Sequence, residues 1–325
     1  MQNVAFTLVM MPPQTKVRRD WAARVAAADI GVRVLQPETA EAAIVAIAEA
    51  DAAFGAVPPE ALAAARRLRW LQAPQIAPPA GFYYPALVAH PVVATNFREI
   101  FNDHIGAHIM AFVLAFARGL HYYLPDQMRR DYQPRPLDTG VLHLPECTAL
   151  ILGVGGIGRE AARLCHAFGM RVIGVDARLT ELVAGLAEIH PAAALDAQLP
   201  RADFVIMTIP HTPATEGLFD RARLGRMKRS AFLINIGRGM TVRLDDLVAA
   251  LQAGEIAGAA LDVFEIEPLP AEHALWSAPN VLITPHTAGF GPYLDDRRLD
   301  ILLDNCRRFA AGQPLRNVVD KATWF

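Results

Sequence analysis

The stretch ILGVGGIGRE, residues 151–160, decides the fold of this chain. It fits the pattern G-x-G-x-x-G, directly after an apolar run and directly before a helical stretch. Gly153 permits a tight turn, Gly155 lets the backbone approach a pyrophosphate, and Gly158 lets the helix pack closely on the strand. The free N–H groups at the start of that helix then face the phosphates. The predicted cofactor contacts of this dinucleotide-binding turn are Gly153, Gly155, Gly156, Ile157 and Gly158.

Asp176 closes the next apolar run, VIGVDA. A carboxylate there can accept hydrogen bonds from the adenine ribose and repels a 2′-phosphate, which favours NAD over NADP. Arg178 lies two residues further on and could bind that phosphate instead, so NADP stays open. A lone glycine pattern often makes only a strand–helix turn. Here strand, helix and acidic residue occur together, and dinucleotide binding is the favoured interpretation.

Short apolar strand candidates alternate with helical stretches on both sides of the turn. This alternation predicts an α/β fold with parallel sheets covered by helices on both faces. The candidates in the first hundred residues are VAFTLVM, VRVLQ, AAFGAV, LRWLQAP and VVATN. The later candidates are TALILGV, RVIGVDA, ADFVIMTIP, AFLINIGR, GAALDVFE and NVLITPH. Six later strands would fill a doubly wound nucleotide-binding sheet.

Two helices and a connector are expected outside this alternation. Residues 102–120 predict a long helix, and residues 293–311 predict a last one. Between them, the proline-rich segment 124–145 is expected to be an extended connector or arm. The apolar end, Trp324 and Phe325, either docks on its own domain or reaches a partner.

Composition excludes several classes of protein. The chain has 325 residues, 53% hydrophobic and 20% charged, which suits two well-packed domains. The net charge of −2 without a basic run argues against nucleic-acid binding. The three cysteines, Cys147, Cys165 and Cys306, share no metal-like or paired spacing, so we expect neither a metal site nor disulfides. Because proteins without disulfides are typical of reducing compartments, we expect a cytoplasmic location. The N-terminus lacks a signal-peptide pattern, and residues 105–117 are too short to span a bilayer, so no membrane protein is expected.

Polar residues follow three of the later strand candidates. AFLINIGR ends in Arg238, GAALDVFE brings Asp262 and then Glu265 and Glu267, and NVLITPH ends in His286. Ligands of open α/β sheets bind beyond the carboxyl ends of the strands. The sequence therefore predicts that a guanidinium, carboxylates and an imidazole face one crevice.

These residue types suit hydride transfer between a 2-hydroxy acid and a nicotinamide. Arginine offers a planar fork to the substrate carboxylate. An imidazole can take the hydroxyl proton as the hydride leaves, and a carboxylate on its other nitrogen orients it and stabilises its charged form. Each residue alone could be a surface arginine, a solvated glutamate or a structural histidine. Their combination at successive strand ends favours catalysis.

The order of these motifs resembles that of the D-2-hydroxyacid dehydrogenase family, whose members transfer a hydride between NAD(P)(H) and a 2-oxo acid/D-2-hydroxy acid pair. The resemblance rests on the glycine turn, ADFVIMTIPHTPAT, KRSAFLINIGRG, LVAALQAGEIAGAALDVFEIEPLP and NVLITPHTAG. It implies that Arg238 contacts the substrate carboxylate and carbonyl, His286 is the acid/base and Glu267 is its partner. The further cofactor contacts that it implies or favours are Thr208, Pro210, Ile236, Gly237, Asp262 and Gly289, with His211 as a weaker candidate.

The resemblance also implies a discontinuous architecture of two doubly wound, Rossmann-like domains. A flavodoxin-like substrate domain, residues 1–98 and 290–325, receives the NAD-binding domain, residues 99–289, as an insertion, with the site in the cleft. Members are commonly homodimers joined through the cofactor domains. The arm at residues 121–145 is the expected interface.

The first part of the chain departs from the family pattern. LRWLQAPQIAPPAGFYYP stands where the family has a glycine-containing loop whose N–H groups hold the substrate carboxylate, and three prolines remove donors and stiffen the loop. The expected substrate contacts are Gln75, Ile76 and Ala77. Residues 82–84 could line an apolar pocket, or they could lie on the surface or pack in the core. Ala107 replaces the usual acidic residue of the long helix.

The substrate therefore cannot be inherited from any one member of the family. Two alternatives to an NAD-linked dehydrogenase stay open. One is an NADPH-preferring glyoxylate or hydroxypyruvate reductase. The other is a non-catalytic protein of the same fold that senses NADH.

Overall fold

The computed structural model describes residues 4–76, 79, 81–135 and 141–322. The chain divides into two compact units, here called the terminal unit, Met1–Ile100 with Pro292–Phe325, and the central unit, Phe101–Gly291. Ala77, residues 136–140, Trp324 and Phe325, for which the sequence makes predictions, lie outside the described residues.

The terminal unit contains a five-stranded parallel sheet in the order β2-β1-β3-β4-β5. Its strands are β1 (Phe6–Met10), β2 (Val32–Leu35), β3 (Ala52–Phe54), β4 (Trp70–Gln72) and β5 (Val93–Thr95). Each lies within a strand candidate of the sequence. This strand order is that of flavodoxin-like doubly wound sheets.

Five α-helices lie in the described part of the terminal unit. They are α1 (Lys16–Ala27), α2 (Ala40–Ile47), α3 (Pro59–Ala64), α4 (Pro85–Ala89) and α11 (Leu294–Ala310). Thr15 and Thr39 cap α1 and α2 by accepting hydrogen bonds from first-turn N–H groups. Proline occupies the first turn of α3 and α4, where its missing N–H removes no helical bond.

A buried polar network ties α11 to this sheet. Trp70 Nε1 donates to Thr95 Oγ1 at 2.8 Å, and Thr95 Oγ1 donates to Gln72 Oε1 at 2.8 Å. Asn305 of α11 donates to the same Gln72 oxygen at 3.3 Å and accepts from the Arg316 N–H at 2.7 Å. Because a buried polar group without a partner is destabilising, these bonds fix the end of the chain on the strands near its beginning.

The central unit contains a seven-stranded parallel sheet in the order β12-β11-β10-β9-β6-β7-β8. Its strands are β6 (Thr148–Leu152), β7 (Arg171–Asp176), β8 (Glu188–Pro191), β9 (Phe204–Met207), β10 (Phe232–Asn235), β11 (Gly258–Leu261) and β12 (Val281–Ile283). The strand order reverses between β6 and β9, the place where doubly wound sheets bind ligands. The predicted α/β fold with two parallel sheets is confirmed.

Strand β8 corrects the prediction of six strands. Its sequence, EIHP, is short and polar, so it carries no apolar strand signal. It pairs only with β7, at the edge of the sheet. Arg171 and Arg201 both donate to the Glu188 carboxylate, at 2.6 and 2.5 Å. Both arginines lie more than ten residues from Glu188 in the sequence. The hydrophobic pattern within the segment therefore does not indicate this edge strand.

The described residues of the central unit form six α-helices. They are α5 (Asn102–Ala117), α6 (Leu120–Arg129), α7 (Gly156–Ala167), α8 (Leu195–Gln198), α9 (Arg221–Leu224) and α10 (Leu244–Gln252). Helix α6 corrects the expectation that segment 124–145 is extended throughout. It begins after Gly119, whose φ of 70° ends α5, and it contains Pro125. The proline removes one helical N–H bond, which a short surface helix tolerates here.

The sheet of the central unit is buried on both faces. Helices α5 and α7 cover one face, where Phe116 stacks on Phe232 with ring centroids 4.2 Å apart. The opposite face packs around α10. In the described part of the chain, no single helix is long and apolar enough to cross a membrane. The bent pair α5 and α6 passes that test together by length and composition only.

Candidate functional site

The glycine turn connects β6 to α7 at the reversal point of the central sheet. Gly153 has a φ of 85°, a conformation that side-chain-bearing residues rarely adopt. A Cβ atom on Gly158 would lie 2.0 Å from the carbonyl oxygen of Gly153, a backbone atom that cannot move aside. The protein's own packing therefore requires glycine at these two positions.

Gly155 differs from them, because neither its backbone conformation nor the described residues around it require glycine. Its φ of −76° is ordinary, and among the described residues no heavy atom lies within 4 Å of a Cβ placed there. No described side chain caps α7, so the first-turn N–H groups, those of Gly156 and Ile157 included, have no side-chain partner at the cap. Open space beside uncapped N–H groups fits the pyrophosphate of a dinucleotide.

Asp176 braces this turn from the end of β7. Its Oδ2 accepts from the Val154 N–H at 2.7 Å, and its Oδ1 accepts from the N–H groups of Arg178 and Leu179, both at 2.8 Å. Burial raises the pKa of Asp176, but these backbone donors outweigh it and hold the pKa below its ordinary value. A carboxylate has about four acceptor positions. One on Oδ2 therefore remains for a ribose hydroxyl.

The segment after β9 lies against the glycine turn. Thr208 Oγ1 donates to the Gly153 carbonyl at 2.6 Å, which joins the ends of β9 and β6. Pro210 is exposed, and its carbonyl accepts from Thr215 Oγ1 at 2.8 Å. His211 is exposed and lies 3.5 Å from the Glu216 carboxylate. After β10, Ile236 is buried and the Gly237 N–H donates to Asn235 Oδ1 at 3.1 Å.

Glu267 and His286 form a hydrogen-bonded pair. Glu267 Oε2 lies 2.7 Å from His286 Nδ1, and Glu267 Oε1 accepts from the Phe264 N–H at 2.9 Å. One carboxylate oxygen thus fixes the glutamate, and the other holds the imidazole. The His286 side chain is 53% exposed, so its second nitrogen, Nε2, is available for a substrate.

Arg238 lies on the loop after β10, which also belongs to the central unit. Its Nη1 donates to the Gly237 carbonyl at 2.6 Å, and its own carbonyl accepts from Thr241 Oγ1 at 2.6 Å. Burial lowers the pKa of the Arg238 guanidinium, and the nearby charge of Glu267 raises it. Arginine stays protonated in either case. The loops after β10, β11 and β12 therefore supply Arg238, Glu267 and His286 respectively.

Asp262 anchors the loop that carries His286. The residue is 1% exposed, and its carboxylate accepts from Thr284 Oγ1 at 2.6 Å, the Thr287 N–H at 2.8 Å and the Ala288 N–H at 2.9 Å. Its backbone carbonyl accepts from the His286 N–H at 2.8 Å. The Asp262 carboxylate, which the resemblance favours as a cofactor contact, is thus directed into the protein. Gly289 follows this loop and packs near Phe101.

Two residues beside this loop were not expected from the sequence. His108 of α5 has its Nε2 3.0 Å from Thr284 Oγ1. Thr284 stands two residues before His286, and this closeness in sequence was the only feature that could have indicated its role. His108 offered none, since the contact joins residues 176 positions apart.

The substrate contacts expected in the terminal unit are only partly described. Gln75 is exposed, and the Ile76 carbonyl accepts from Asn96 Nδ2 at 3.1 Å. Tyr83 and Tyr84 pack in the core of this unit, one of the alternatives that the sequence leaves open. Burial raises the pKa of Tyr83 to about 12, and the Tyr84 hydroxyl donates to the Val57 carbonyl at 3.0 Å. Among the described residues, no group of His, Cys, Asp or Glu could hold a metal ion.

Residues 110–288 match the family model described as D-isomer specific 2-hydroxyacid dehydrogenase, NAD binding domain. The chain is 32% identical to glyoxylate/hydroxypyruvate reductase A of Yersinia enterocolitica over 213 residues, 66% of each chain. It is 33% identical to glyoxylate/hydroxypyruvate reductase B of Citrobacter koseri over 267 residues, 78% of this chain and 79% of that protein.

A solved structure covers nearly the whole chain. It is a D-isomer specific 2-hydroxyacid dehydrogenase from Xanthobacter autotrophicus in complex with NADPH and MES, 28% identical, with a TM-score of 0.80 over 98% of this chain and 99% of that one. The glycine turn and the matched residues agree on the same cofactor chemistry. The chain therefore belongs to the D-isomer specific 2-hydroxyacid dehydrogenase family and is an NAD(P)-dependent oxidoreductase.

Proposed function

We propose that this protein reduces a short 2-oxo acid to its D-2-hydroxy acid, and catalyses the reverse oxidation, with NAD(H) as the preferred cofactor. The observation that carries the proposal is the 2.7 Å contact between Glu267 Oε2 and His286 Nδ1. The electrostatic effect of Glu267 on Arg238 supports their proximity. Acid/base, orienting carboxylate and carboxylate-binding guanidinium are the groups that this reaction needs.

Arg238 binds the substrate. Its guanidinium is largely desolvated, which strengthens its attraction for a carboxylate. One Nη1 hydrogen bond to the Gly237 carbonyl restricts its orientation, and other N–H groups of the fork remain for the substrate carboxylate and carbonyl. A guanidinium beside the carbonyl oxygen also stabilises the negative charge that develops there during reduction.

His286 moves the proton. Glu267 holds Nδ1, so a protonated imidazole carries its other proton on Nε2 and gives it to the carbonyl oxygen of the 2-oxo acid. In the oxidative direction, neutral Nε2 takes the proton of the hydroxyl group. Bound NAD(P)H supplies the hydride that reaches the carbonyl carbon. The fixed carboxylate of Glu267 stabilises the imidazolium that precedes each reduction.

The cofactor preference rests on Asp176. Its carboxylate is ionised and keeps one acceptor position, which suits a ribose hydroxyl and opposes a 2′-phosphate. The cofactor contacts proposed with it are Gly153, Gly155, Gly156, Ile157, Gly158, Thr208, Pro210, Ile236, Gly237 and Gly289, whereas the buried Asp262 carboxylate holds the His286 loop. NADPH is the second candidate, because the Xanthobacter structure holds NADPH and Arg178 follows Asp176 closely.

The substrate class follows the named relatives. Both are glyoxylate/hydroxypyruvate reductases, and these two acids are short 2-oxo acids. We assign cofactor binding to the central unit. The substrate contacts of Gln75, Ile76 and Ala77, and a cytoplasmic location, stay predictions from the sequence.

We further propose a homodimer formed through α6. Leu120, Leu124 and Met128 recur every four residues, on one face of this helix, and are 43%, 52% and 84% exposed. An apolar stripe of this kind on a surface helix is typical of an interface.

A panel of 2-oxo acids from glyoxylate to phenylpyruvate, assayed with NADH and with NADPH, tests the function. We expect kcat/KM to be highest for a short acid with NADH. Arg238→Ala and His286→Ala should each lose at least about 10²-fold in kcat/KM. The affinity for NADH, measured by fluorescence titration, should change little.

Arg243→Ala is the matched control, since this exposed arginine lies five residues after Arg238 and should not affect turnover. Retained activity of Arg238→Ala would contradict its role. A preference for NADPH would favour the second candidate, and Asp176→Ala should then leave that preference unchanged. No turnover with any acid would favour an NADH-sensing protein without catalysis.

A further inference from the structure

His108 contacts the loop of the acid/base histidine from a distant helix. It lies on α5, and its Nε2 is 3.0 Å from Thr284 Oγ1. Its side chain is 20% exposed, and its ring packs edge-on against Phe112 with centroids 4.7 Å apart. The Asp262 carboxylate lies close by, with its Oδ1 3.9 Å from His108 Nε2.

The hydrogen bonds along this contact run in one direction. Thr284 Oγ1 lies 2.6 Å from Asp262 Oδ1, and a carboxylate can only accept, so the single hydroxyl proton of Thr284 points to Asp262. Thr284 Oγ1 is then an acceptor towards His108, whose Nε2 must carry a hydrogen. The chain therefore runs from the His108 N–H to the Thr284 hydroxyl to the Asp262 carboxylate.

Asp262 controls the backbone on both sides of His286. Its carboxylate accepts hydrogen bonds from the Thr284 hydroxyl, before the histidine, and from the Thr287 and Ala288 N–H groups, after it. Its carbonyl receives the His286 N–H. His286 itself has a φ of 55°, a left-handed conformation that is strained for a residue other than glycine and persists only where surrounding bonds enforce it.

We infer that His108 is a positioning residue that holds the His286 loop in its productive conformation through Thr284 and Asp262. This inference rests on the proposed role of His286. Burial lowers the pKa of His108, although the charge of Asp262 acts in the opposite direction. The geometry requires a hydrogen on Nε2, which the neutral and the protonated ring can both carry.

The expected effect is on turnover rather than on binding. Removal of the His108 ring leaves the Thr284 oxygen without its donor, so the threonine can rotate away from Asp262 and release one side of the loop. A displacement of about 1 Å in a catalytic group can reduce the rate by about 10²-fold. The glycine turn lies between β6 and α7 and does not include His108 or Thr284. We therefore expect the affinity for NADH to stay near that of the unmodified protein.

The test uses two pairs of variants of the full chain. His108→Ala and Thr284→Val delete the chain of hydrogen bonds, while His108→Gln and Thr284→Ser keep a donor and a hydroxyl respectively. We expect kcat to fall about 10- to 100-fold in both deletions, with KM for NADH and its fluorescence-titrated affinity within about threefold. The conservative variants should restore most of kcat. The double deletion should be no slower than the slower single one, because both act on the same chain.

A spectroscopic readout separates this inference from the proposed function. Nitrogen-15 NMR of the His286 imidazole, recorded without substrate, should show a changed signal in His108→Ala and a native-like signal in His108→Gln. Native kcat and native His286 signals in both deletions would overturn the inference while leaving the acid/base role intact. Multiplying effects in the double deletion would also overturn it. Turnover retained by His286→Ala would refute the proposed function instead, and the NMR comparison would then decide the positioning role alone.

Discussion

At the scale of single residues, the two oxygens of Glu267 have different partners. Oε1 accepts from the Phe264 N–H, and Oε2 holds His286 Nδ1. In Glu267→Gln the amide oxygen would keep the Phe264 bond, so the NH2 group would face Nδ1. Because an N–H group that faces Nδ1 needs an unprotonated acceptor there, Nδ1 could not carry its proton, and the charged imidazolium would be disfavoured. We expect kcat for 2-oxo acid reduction to fall by about 10²- to 10⁴-fold, measured with saturating NADH.

Glu265→Gln provides the matched control for this prediction. Glu265 lies two residues earlier, and its Oε2 accepts from the Leu244 N–H at 2.7 Å, a bond that the amide oxygen of glutamine can also accept. Its kcat should stay near that of the unmodified protein. Equal losses in both variants, or native turnover in Glu267→Gln, would remove the assigned role of Glu267.

At the scale of elements, the β6–turn–α7 segment separates a folding requirement from a binding requirement. A Cβ on Gly158 would meet the Gly153 carbonyl at 2.0 Å, whereas one on Gly155 would meet no described atom within 4 Å. Gly158→Ala should therefore lower the free energy of unfolding by about 1–3 kcal/mol or more. Gly155→Ala should keep the stability of the parent and weaken NADH binding at least about tenfold, because its methyl group enters the space proposed for the pyrophosphate.

Thermal unfolding and NADH fluorescence titration on the two alanine variants check both halves of this prediction. Each glycine serves as the control for the other. Native NADH affinity in Gly155→Ala would mean that the phosphates do not approach this part of the turn.

At the scale of the whole molecule, the exposed stripe of α6 predicts self-association. Static light scattering should give a mass about twice the 35.4 kDa of one chain. The double variant Leu124→Asp with Met128→Asp should be a monomer. An interface on this face would have to bury carboxylates of like charge in place of apolar side chains, which is unfavourable. Val45→Asp, at a 76% exposed residue of α2, is the control and should leave the mass unchanged. A monomeric parent protein would refute the dimer.

Much of the fold could be predicted from local signals. The first five strands and six of the later seven coincide with apolar runs bounded by turn residues, and the glycine turn marks the first strand of the central sheet. Strand β8 was missed because EIHP is polar and lies at an edge. Part of α6 was assigned to an arm because Pro125 resembles a helix break, although the actual break is at Gly119.

The sequence by itself determined the strand–turn–helix unit at residues 148–167 and the positions of Arg238, Glu267 and His286 after successive strands. Glycine chemistry and strand periodicity are local properties, and parallel strands bring their ends to one edge. The resemblance already implied that Glu267 pairs with His286, and the structure shows this contact at 2.7 Å. Only the tertiary structure decided that Thr284 contacts both Asp262 and His108. The bond between Asn305 and Gln72 likewise joins residues 233 positions apart. Such contacts depend on the packing of whole elements, and no pattern within one segment encodes them. The glycine turn therefore predicts where the cofactor binds, and the packed loops determine how His286 is held.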